Sequence, residues 1–176
     1  MASTAVSTSR AEYDALTAAG ERLEYDEGQI IEMPNNDSLH DVIKGTLVCA
    51  LIRQLPKSVF AASEITFEIA PNKIRHPGVA LLLKKPAGVA GRKLTGSPDL
   101  AIEVVSPNEN ALDLHAKVHL YLQHGARAVW VVWPDMKVVD IHQPNAPTRH
   151  IDFDGVIEGE DPVPGFRLPV RELFED

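Results

Sequence analysis

One acidic residue, Glu103, lies inside the otherwise apolar segment 100–105. In an extended strand, alternate residues point to the same face, so Glu103 shares a face with Ala101 and Val105. Burying a carboxylate without a partner is costly, so a cation, hydrogen-bond donors or protonation must satisfy it. A metal ion is one such cation. The alternative is an acid at the edge of a strand that is hydrogen-bonded to its neighbours or reaches solvent.

A polar stripe follows on the helix predicted after this strand, where Asp113, Lys117 and Tyr121 recur at every fourth position. The Lys117 side chain can reach back toward the strand end that carries Glu103. The alternative is an ordinary surface pair between Asp113 and Lys117. Asp99 lies four residues before Glu103, roughly 13 Å along a strand at ~3.3 Å per residue, which is too far to share one ion easily. We expect Asp99 to cap or anchor the start of the strand.

Other patterns point away from several classes of enzyme. His115 and His119 have the spacing of zinc ligands, but no glutamate lies between them in the metalloprotease arrangement, so they predict an exposed polar helix face. Cys49 is the only cysteine, and its apolar neighbours predict a core position. Neither a nucleophile-elbow motif nor a phosphate-loop motif is present, which removes the main support for a serine hydrolase or a P-loop protein.

Length and composition are those of one globular domain: 176 residues, of which 44% are hydrophobic. We predict a disordered N-terminal segment at 1–8 and a single domain at 9–176. No run approaches the ~20 apolar residues of a membrane helix, and the first residues do not resemble a secretory signal. A cytoplasmic protein without membrane contact is therefore expected. The net charge of -8 disfavours strong non-specific binding to nucleic acid.

The predicted elements alternate between helices and strands. Ser9 and Glu12 form a capping-box pattern for a short helix that ends at Gly20, and the segment 22–33 predicts a hairpin. The remaining predictions are helices at 38–55 and 109–124 and strands at 64–69, 79–83, 100–105, 128–133 and 138–142. This pattern predicts an α/β (α+β) fold with a mixed central sheet and flanking helices.

Several segments together resemble the Uma-type family of restriction endonucleases, which belongs to the PD-(D/E)xK nuclease superfamily. In chain order they are RLEYDEG, His40, RHPGV, PDLAIEVVSP, Asp113 with Lys117 and Tyr121, AVWVVWP and PGFRLPVRELF. The resemblance spans residues 12–174 and depends on order and spacing rather than on any single motif. It implies a restriction-endonuclease-like fold and hydrolysis of DNA phosphodiester bonds with Mg²⁺ or Mn²⁺ as cofactor. DNA is the implied partner, and a homodimer is expected.

The resemblance also implies roles for particular residues. In such nucleases, acidic side chains on adjacent strands hold a divalent ion, and a lysine positions the attacking water. Glu103 and Glu24 match the metal-binding and catalytic acids, and Lys117 matches the catalytic lysine, since Val105 stands at the usual lysine position of the superfamily. The supporting positions, without assigned roles, are His40, Asp99, Asp113 and Tyr121.

One position departs from the family pattern. The family reads roughly RPDV where this chain reads His76-Pro77-Gly78-Val79, so Gly78 replaces the principal metal-binding aspartate. Mg²⁺ can be held by one or two carboxylates together with waters and substrate phosphate, so Glu103 and Glu24 imply a weak metal site. Glu64 and Glu68 can substitute, but their alternation with apolar residues predicts a solvated face.

Two functions follow from this departure. The first is a metal-dependent endonuclease with weakened activity. The alternative is a catalytically inactive protein of nuclease fold that binds nucleic acid or another protein.

Overall fold

The computed structural model describes residues 8–33, 38–87, 93–107 and 109–175. Within these residues the helices are α1 (Arg10–Ala18), α2 (Ser38–Gln54), α3 (Ala111–Gln123) and a 3-10 helix, Val170–Leu173. The strands are β1 (Leu23–Asp26), β2 (Gln29–Glu32), β3 (Phe60–Ser63), β4 (Phe67–Ala70), β5 (Lys73–Arg75), β6 (Val79–Leu82), β7 (Leu94–Thr95), β8 (Leu100–Val104), β9 (Ala128–Trp133), β10 (Val138–His142), β11 (Arg149–Ile151), β12 (Val156–Glu158) and β13 (Arg167–Pro169). No helix of the described chain is both long enough and apolar enough to span a membrane.

A six-stranded sheet with the order β11-β10-β9-β8-β6-β3 forms the centre of the fold. β8 and β9 are parallel, whereas the other neighbouring pairs are antiparallel. A parallel pair needs a crossover connection, and α3 provides it between β8 and β9. The sequence prediction of a mixed sheet with flanking helices is confirmed.

The two faces of β8 enter two different cores, as its alternating pattern predicts. Leu100, Ile102 and Val104 pack in one core with Ile43 and Leu47 of α2. Each of these five side chains is at most 7% exposed. The burial of apolar area on this face is the main stabilising contribution that α2 makes.

The opposite face of the sheet is covered by α3 and by part of a second sheet. Ala101 of β8 and Val129 of β9 pack there with Leu114 and Val118 of α3 and with Phe67 of β4. Because Glu103 projects from the same face as Ala101, the α3 side of the sheet is where its carboxylate must find partners.

The second sheet has five strands in the order β2-β1-β5-β4-β7, which the sequence patterns did not predict as a separate unit. Its first hairpin, β1–β2, is confirmed. The turn residues Glu27 and Gly28 have φ angles of 47° and 96°, as a tight hairpin turn requires. This sheet brings β1, and therefore Glu24, close to α3. A third, two-stranded sheet pairs β12 with β13.

The capping box of α1 is also confirmed. The Ser9 backbone N–H donates to Glu12 Oε2 at 2.7 Å, and the Glu12 backbone N–H donates to Ser9 Oγ at 3.3 Å. Tyr13 then packs its ring against Tyr25 of β1, with 5.1 Å between the ring centroids. These contacts attach α1 to the second sheet.

Two predictions are wrong in part. The strand predicted at 64–69 begins only at Phe67, because Glu64 has a φ of 56° and turns the chain between β3 and β4. Cys49 is exposed rather than buried, because it lies on the side of α2 that faces away from the sheet. Thr8, the last residue of the predicted disordered segment, donates its backbone N–H to the Gly28 carbonyl at 2.8 Å. Residues 1–7 lie outside the described residues, so disorder there stays a prediction.

Two isoleucines of α2 test how much of the stability comes from the core face of this helix. Ile43 is 0% exposed and Ile52 is 58% exposed. We expect Ile43→Ala to lower the free energy of unfolding by about 3 kcal/mol, because it leaves a cavity, and Ile52→Ala to lower it by less than about 1 kcal/mol. Urea unfolding measures both; equal losses would contradict the packing described for α2.

Candidate active site

A cleft of about 480 Å³ opens where the two larger sheets, α2 and α3 meet. Its lining residues are Glu24, Ile31, Glu32, Met33, Lys44, Glu64, His76, Gly78, Glu103, Val104, Ser106, Glu109, Asn110, Asp113 and Lys117. The cleft therefore contains Glu24, Glu103 and Lys117, which are far apart in the sequence.

Glu103 projects from β8 into this cleft and is 6% exposed. Tyr121 of α3, which is fully buried, donates its hydroxyl to Glu103 Oε1 at 2.8 Å. Burial raises the pKa of the Glu103 carboxyl to about 7, although the Lys117 ammonium and the Tyr121 hydroxyl oppose that rise. Burial and the same carboxylate raise the pKa of Tyr121 well above its usual value, so its hydroxyl remains a donor.

Glu24 projects from β1 and is 1% exposed. Its Oε1 accepts the backbone N–H of His76 at 3.0 Å. Its Oε2 lies 3.5 Å from Lys117 Nζ and 3.8 Å from Arg75 Nε, and this oxygen is buried without a hydrogen bond. The charge of this oxygen is therefore balanced by the Lys117 and Arg75 cations rather than by a direct hydrogen bond.

Lys117 of α3 connects these acids. Its Nζ lies 3.5 Å from Glu24 Oε2 and 3.5 Å from Glu109 Oε1. Burial alone would lower the pKa of this ammonium, but the carboxylates of Glu103, Glu24 and Glu109 outweigh burial and raise the pKa above its usual value. Lys117 is therefore a permanently charged donor and cannot act as a base at neutral pH.

The segment between β8 and α3 is held in place by its own hydrogen bonds. Glu109 Oε2 accepts the backbone N–H of Ser106 at 3.4 Å, and the Asn110 side chain caps α3 by accepting the N–H of Leu112. His40 of α2 contacts the Val105 carbonyl through Nε2 at 3.0 Å. These contacts fix how α3 leaves the sheet and thus where Lys117 points.

A second ion pair lies on the other side of the cleft. Lys44 of α2 is 6% exposed, and its Nζ donates to Glu64 Oε1 at 2.8 Å. Arg22 also contacts Glu64 Oε1, at 2.7 Å. Glu64 therefore does not lie on the solvated face that the alternation predicted for it. Glu68 lies outside this cleft, in ion pairs with Arg10 and Lys93.

Gly78 forms part of the cleft wall beside Glu103, because the next residue, Val79, pairs with Ile102 in the antiparallel β6–β8 ladder. A Cβ atom at Gly78 would lie 3.1 Å from the Ile102 carbonyl oxygen and 3.6 Å from Lys44 Cε. The end of the Lys44 side chain therefore approaches the space that a side chain at position 78 would enter.

The charges around the cleft are unequal. Six carboxyl groups line it, those of Glu24, Glu32, Glu64, Glu103, Glu109 and Asp113, against the two ammonium groups of Lys44 and Lys117. Burial keeps the pKa of His76 below its usual value, although Glu24 opposes this, so His76 adds little positive charge at neutral pH. Such a cleft attracts cations and repels a phosphate group that arrives without one.

A second cleft, of about 650 Å³, continues from the first and shares Met33, Glu64 and His76 with it. Arg22 and Lys93 also line the second cleft.

The supporting residues named from the sequence separate into three groups. Tyr121 contacts Glu103. Asp113 lines the cleft at the exposed start of α3. The ion pairs of Lys117 are with Glu24 and Glu109, and the predicted surface pair with Asp113 is not among them. His40 holds the segment after β8. Asp99 is not at the cleft: its carboxylate accepts the Leu83 backbone N–H at 2.9 Å and anchors the start of β8.

Sequence reasoning missed the contributions of Lys44, Arg75 and Glu109. Lys44 follows His40 by one helical turn, which was the available signal that it shares the same face of α2. Glu109 precedes a helix in a polar loop, where an acid is ordinary, and Arg75 reaches Glu24 only through the pairing of β1 with β5. His115 and His119 are exposed on α3, as predicted.

A divalent ion such as Mg²⁺ needs several oxygen ligands. Within the described residues, no three His, Cys, Asp or Glu side chains cluster closely enough to hold a metal ion. The carboxylates of Glu24 and Glu103 nevertheless supply hard oxygen ligands, including the buried Glu24 Oε2 that accepts no hydrogen bond. Two carboxylates completed by waters fit the coordination habit of Mg²⁺, and they do not fit a metal that requires nitrogen or sulfur ligands.

Comparison with known proteins assigns the chain to a family. The family model Uma2, described as "Putative restriction endonuclease", matches residues 10–171. The chain belongs to this family. Its fold matches the crystal structure of a putative nuclease belonging to DUF820 from Anabaena variabilis ATCC 29413 with a TM-score of 0.76. That likeness covers 88% of this chain and 90% of the other at 22% identity, and it confirms the nuclease-like fold. No curated protein matches the chain.

The raised pKa of Glu103 predicts how stability changes with pH. The native state holds this proton more tightly than the unfolded chain, so the free energy of unfolding falls as the pH rises from the usual carboxyl pKa of 4.5 to about 7. The expected loss reaches about 3 kcal/mol. Glu103→Gln keeps an oxygen for Tyr121 and should remove this loss, so the variant should be more stable than the native protein at about pH 8.

Urea unfolding in EDTA at a series of pH values measures this difference. Glu172→Gln, which alters an exposed acid in the 3-10 helix, is the matched control and should follow the native profile. If Glu103→Gln also followed the native profile, Glu103 would titrate like an ordinary surface carboxyl.

Proposed function

We propose that this protein is a metal-dependent endonuclease that hydrolyses phosphodiester bonds of DNA at the cleft around Glu103. One observation carries the proposal: the Lys117 ammonium lies 3.5 Å from Glu24 in the same cleft as the buried carboxyl of Glu103. Membership of a restriction endonuclease family supports the reaction class. The contiguous second cleft supports a polymeric substrate.

The acidic lining gives a physical reason for a divalent ion. A phosphodiester carries a negative charge, and it would meet six carboxyl groups and two ammonium groups in the cleft. Glu24 and Glu103 are the residues that would hold Mg²⁺ or Mn²⁺, weakly because Gly78 supplies no side-chain ligand. When bound, the ion would polarise the phosphate and lower the pKa of a bound water.

The protein's own groups have distinct tasks in this proposal. Lys117 orients the attacking water and stabilises charge on the phosphate through N–H donation, since its raised pKa keeps it protonated. The Tyr121 hydroxyl holds one oxygen of Glu103 and leaves the other to face the cleft. His40 and Asp113 act at a distance from the reacting atoms, the first by holding the segment after β8 and the second at the rim.

Cleavage of supercoiled plasmid and of linear duplex DNA tests the proposal. We expect slow cleavage with Mg²⁺ or Mn²⁺ and none in EDTA. Lys117→Ala should reduce the rate by about a hundredfold or more, because one donor to the developing charge is lost. Lys57→Ala, an exposed lysine between α2 and β3, is the matched control and should leave the rate unchanged.

Circular dichroism establishes that each variant is folded. Equal rates for Lys117→Ala and the native protein would contradict the proposal, since the cleavage would then come from a contaminant or from another site. Lys117→Arg keeps the positive charge near Glu24 and Glu109, and it serves as the second variant where the alanine variant is unstable.

A non-catalytic function is the second candidate, and the absence of a side chain at Gly78 beside Glu103 favours it. In this case the protein would bind DNA or a protein partner with its nuclease fold and would not cleave. Fluorescence anisotropy of a labelled duplex separates the two: binding that is equally strong in EDTA and Mg²⁺ and unaffected by Glu103→Gln, without cleavage, favours the second candidate.

A homodimer and a cytoplasmic location complete the proposal. Two copies would let one protein act on both strands of a duplex, and a DNA substrate agrees with a cytoplasmic location. Sedimentation equilibrium should give a mass near twice that of the 19.3 kDa chain; a mass that stays at one chain at all concentrations would reject the dimer.

A further inference from the structure

Lys44 is a buried cation that the proposed reaction does not use. It lies on α2, opposite the face of β8 that carries Glu103, and its side chain extends into the acid-rich cleft. Only 6% of the residue is exposed. Burying an ammonium is unfavourable unless it gains partners, so its position in the cleft needs an explanation.

The partners of Lys44 hold its ammonium at one place. Glu64 Oε1 accepts a hydrogen bond from Lys44 Nζ at 2.8 Å, and Asp41, one turn earlier on α2, lies 3.9 Å from the same nitrogen. Glu64 itself has a φ of 56°, an uncommon backbone conformation for a residue with a side chain. The chain thus adopts a strained turn at the residue that holds this lysine.

The position of Lys44 coincides with the gap left by Gly78. Lys44 Cε lies 3.6 Å from the point that a Cβ atom at Gly78 would occupy, a normal van der Waals contact. Gly78 itself lies beside Glu103 across the β6–β8 ladder. The end of the Lys44 side chain therefore lies on the side of the cleft where a side chain at position 78 would supply a further ligand.

We propose that Lys44 is a built-in cation that neutralises the Gly78 side of the cleft and, by charge repulsion, weakens the binding of a divalent ion by Glu24 and Glu103. This inference rests on the proposed metal-dependent function, which it deepens by naming the residue that limits metal affinity. It also predicts that an aspartate introduced at position 78 would pair with Lys44 instead of binding metal.

Isothermal titration of the folded protein with Mg²⁺ or Mn²⁺, without DNA, tests the inference. Lys44→Met keeps the length and the helix propensity of the side chain and removes its charge. We expect this variant to bind the ion about tenfold more tightly, because one like charge leaves the site. Glu64 keeps its contact with Arg22 at 2.7 Å in this variant, so its carboxylate does not become an isolated buried charge.

Three further variants make the test specific. Lys44→Arg keeps the charge and should bind the ion like the native protein. Lys57→Met removes an exposed lysine and should also bind like the native protein. Gly78→Asp alone should gain little, whereas Gly78→Asp combined with Lys44→Met should bind most tightly, after the Ile102 carbonyl moves by a few tenths of an ångström to accept the new Cβ.

The outcomes separate this inference from the proposed function. Unchanged or undetectable metal binding by Lys44→Met overturns the inference, and so does a Gly78→Asp variant that binds as tightly as the double variant. If Lys44→Met binds metal more tightly and neither protein cleaves DNA, the inference stands and the nuclease proposal fails. If the native protein cleaves DNA and Lys44→Met leaves metal affinity unchanged, the nuclease proposal stands alone.

Discussion

The ammonium of Lys117 lies between two carboxylates that reach it from different directions, Glu24 from the second sheet and Glu109 from the segment before α3. Each of these groups would be strongly destabilising if it were buried alone, because desolvation of a lone charge has no compensation. Together they attach α3 to β1 beside the cleft that contains the Glu103 carboxyl. The position of Lys117 in the cleft depends on this group of charges.

A site built in this way has a cost in stability that a purely apolar core would avoid. Burial raises the pKa of the Glu103 carboxyl to about 7, and Glu24 keeps a buried oxygen that accepts no hydrogen bond. Unfavourable features of this kind cluster where a protein binds or transforms something, because a partner that arrives later satisfies them. The apolar cores on the two faces of β8 provide the stability that tolerates them.

The two lysines of the cleft illustrate how one residue type takes different tasks from its surroundings. Lys117 is held among carboxylates beside Glu103, and it retains its charge because their attraction outweighs burial. Lys44 is held by Glu64 in the space beside Gly78. The two ammonium groups thus differ in their partners, although both line the same cleft.

Local patterns determined much of this protein. The capping box of α1, the hairpin turn at Glu27 and Gly28, the two-faced strand β8 and the stripe that carries Lys117 all follow from spacings of two to four residues, which the backbone geometry of strands and helices dictates. Only the tertiary structure decided that Glu24 and Glu109 meet Lys117 and that Lys44 approaches Gly78. These contacts join residues distant in the chain, and they depend on sheet pairing and on the path of each crossover, which no local pattern contains.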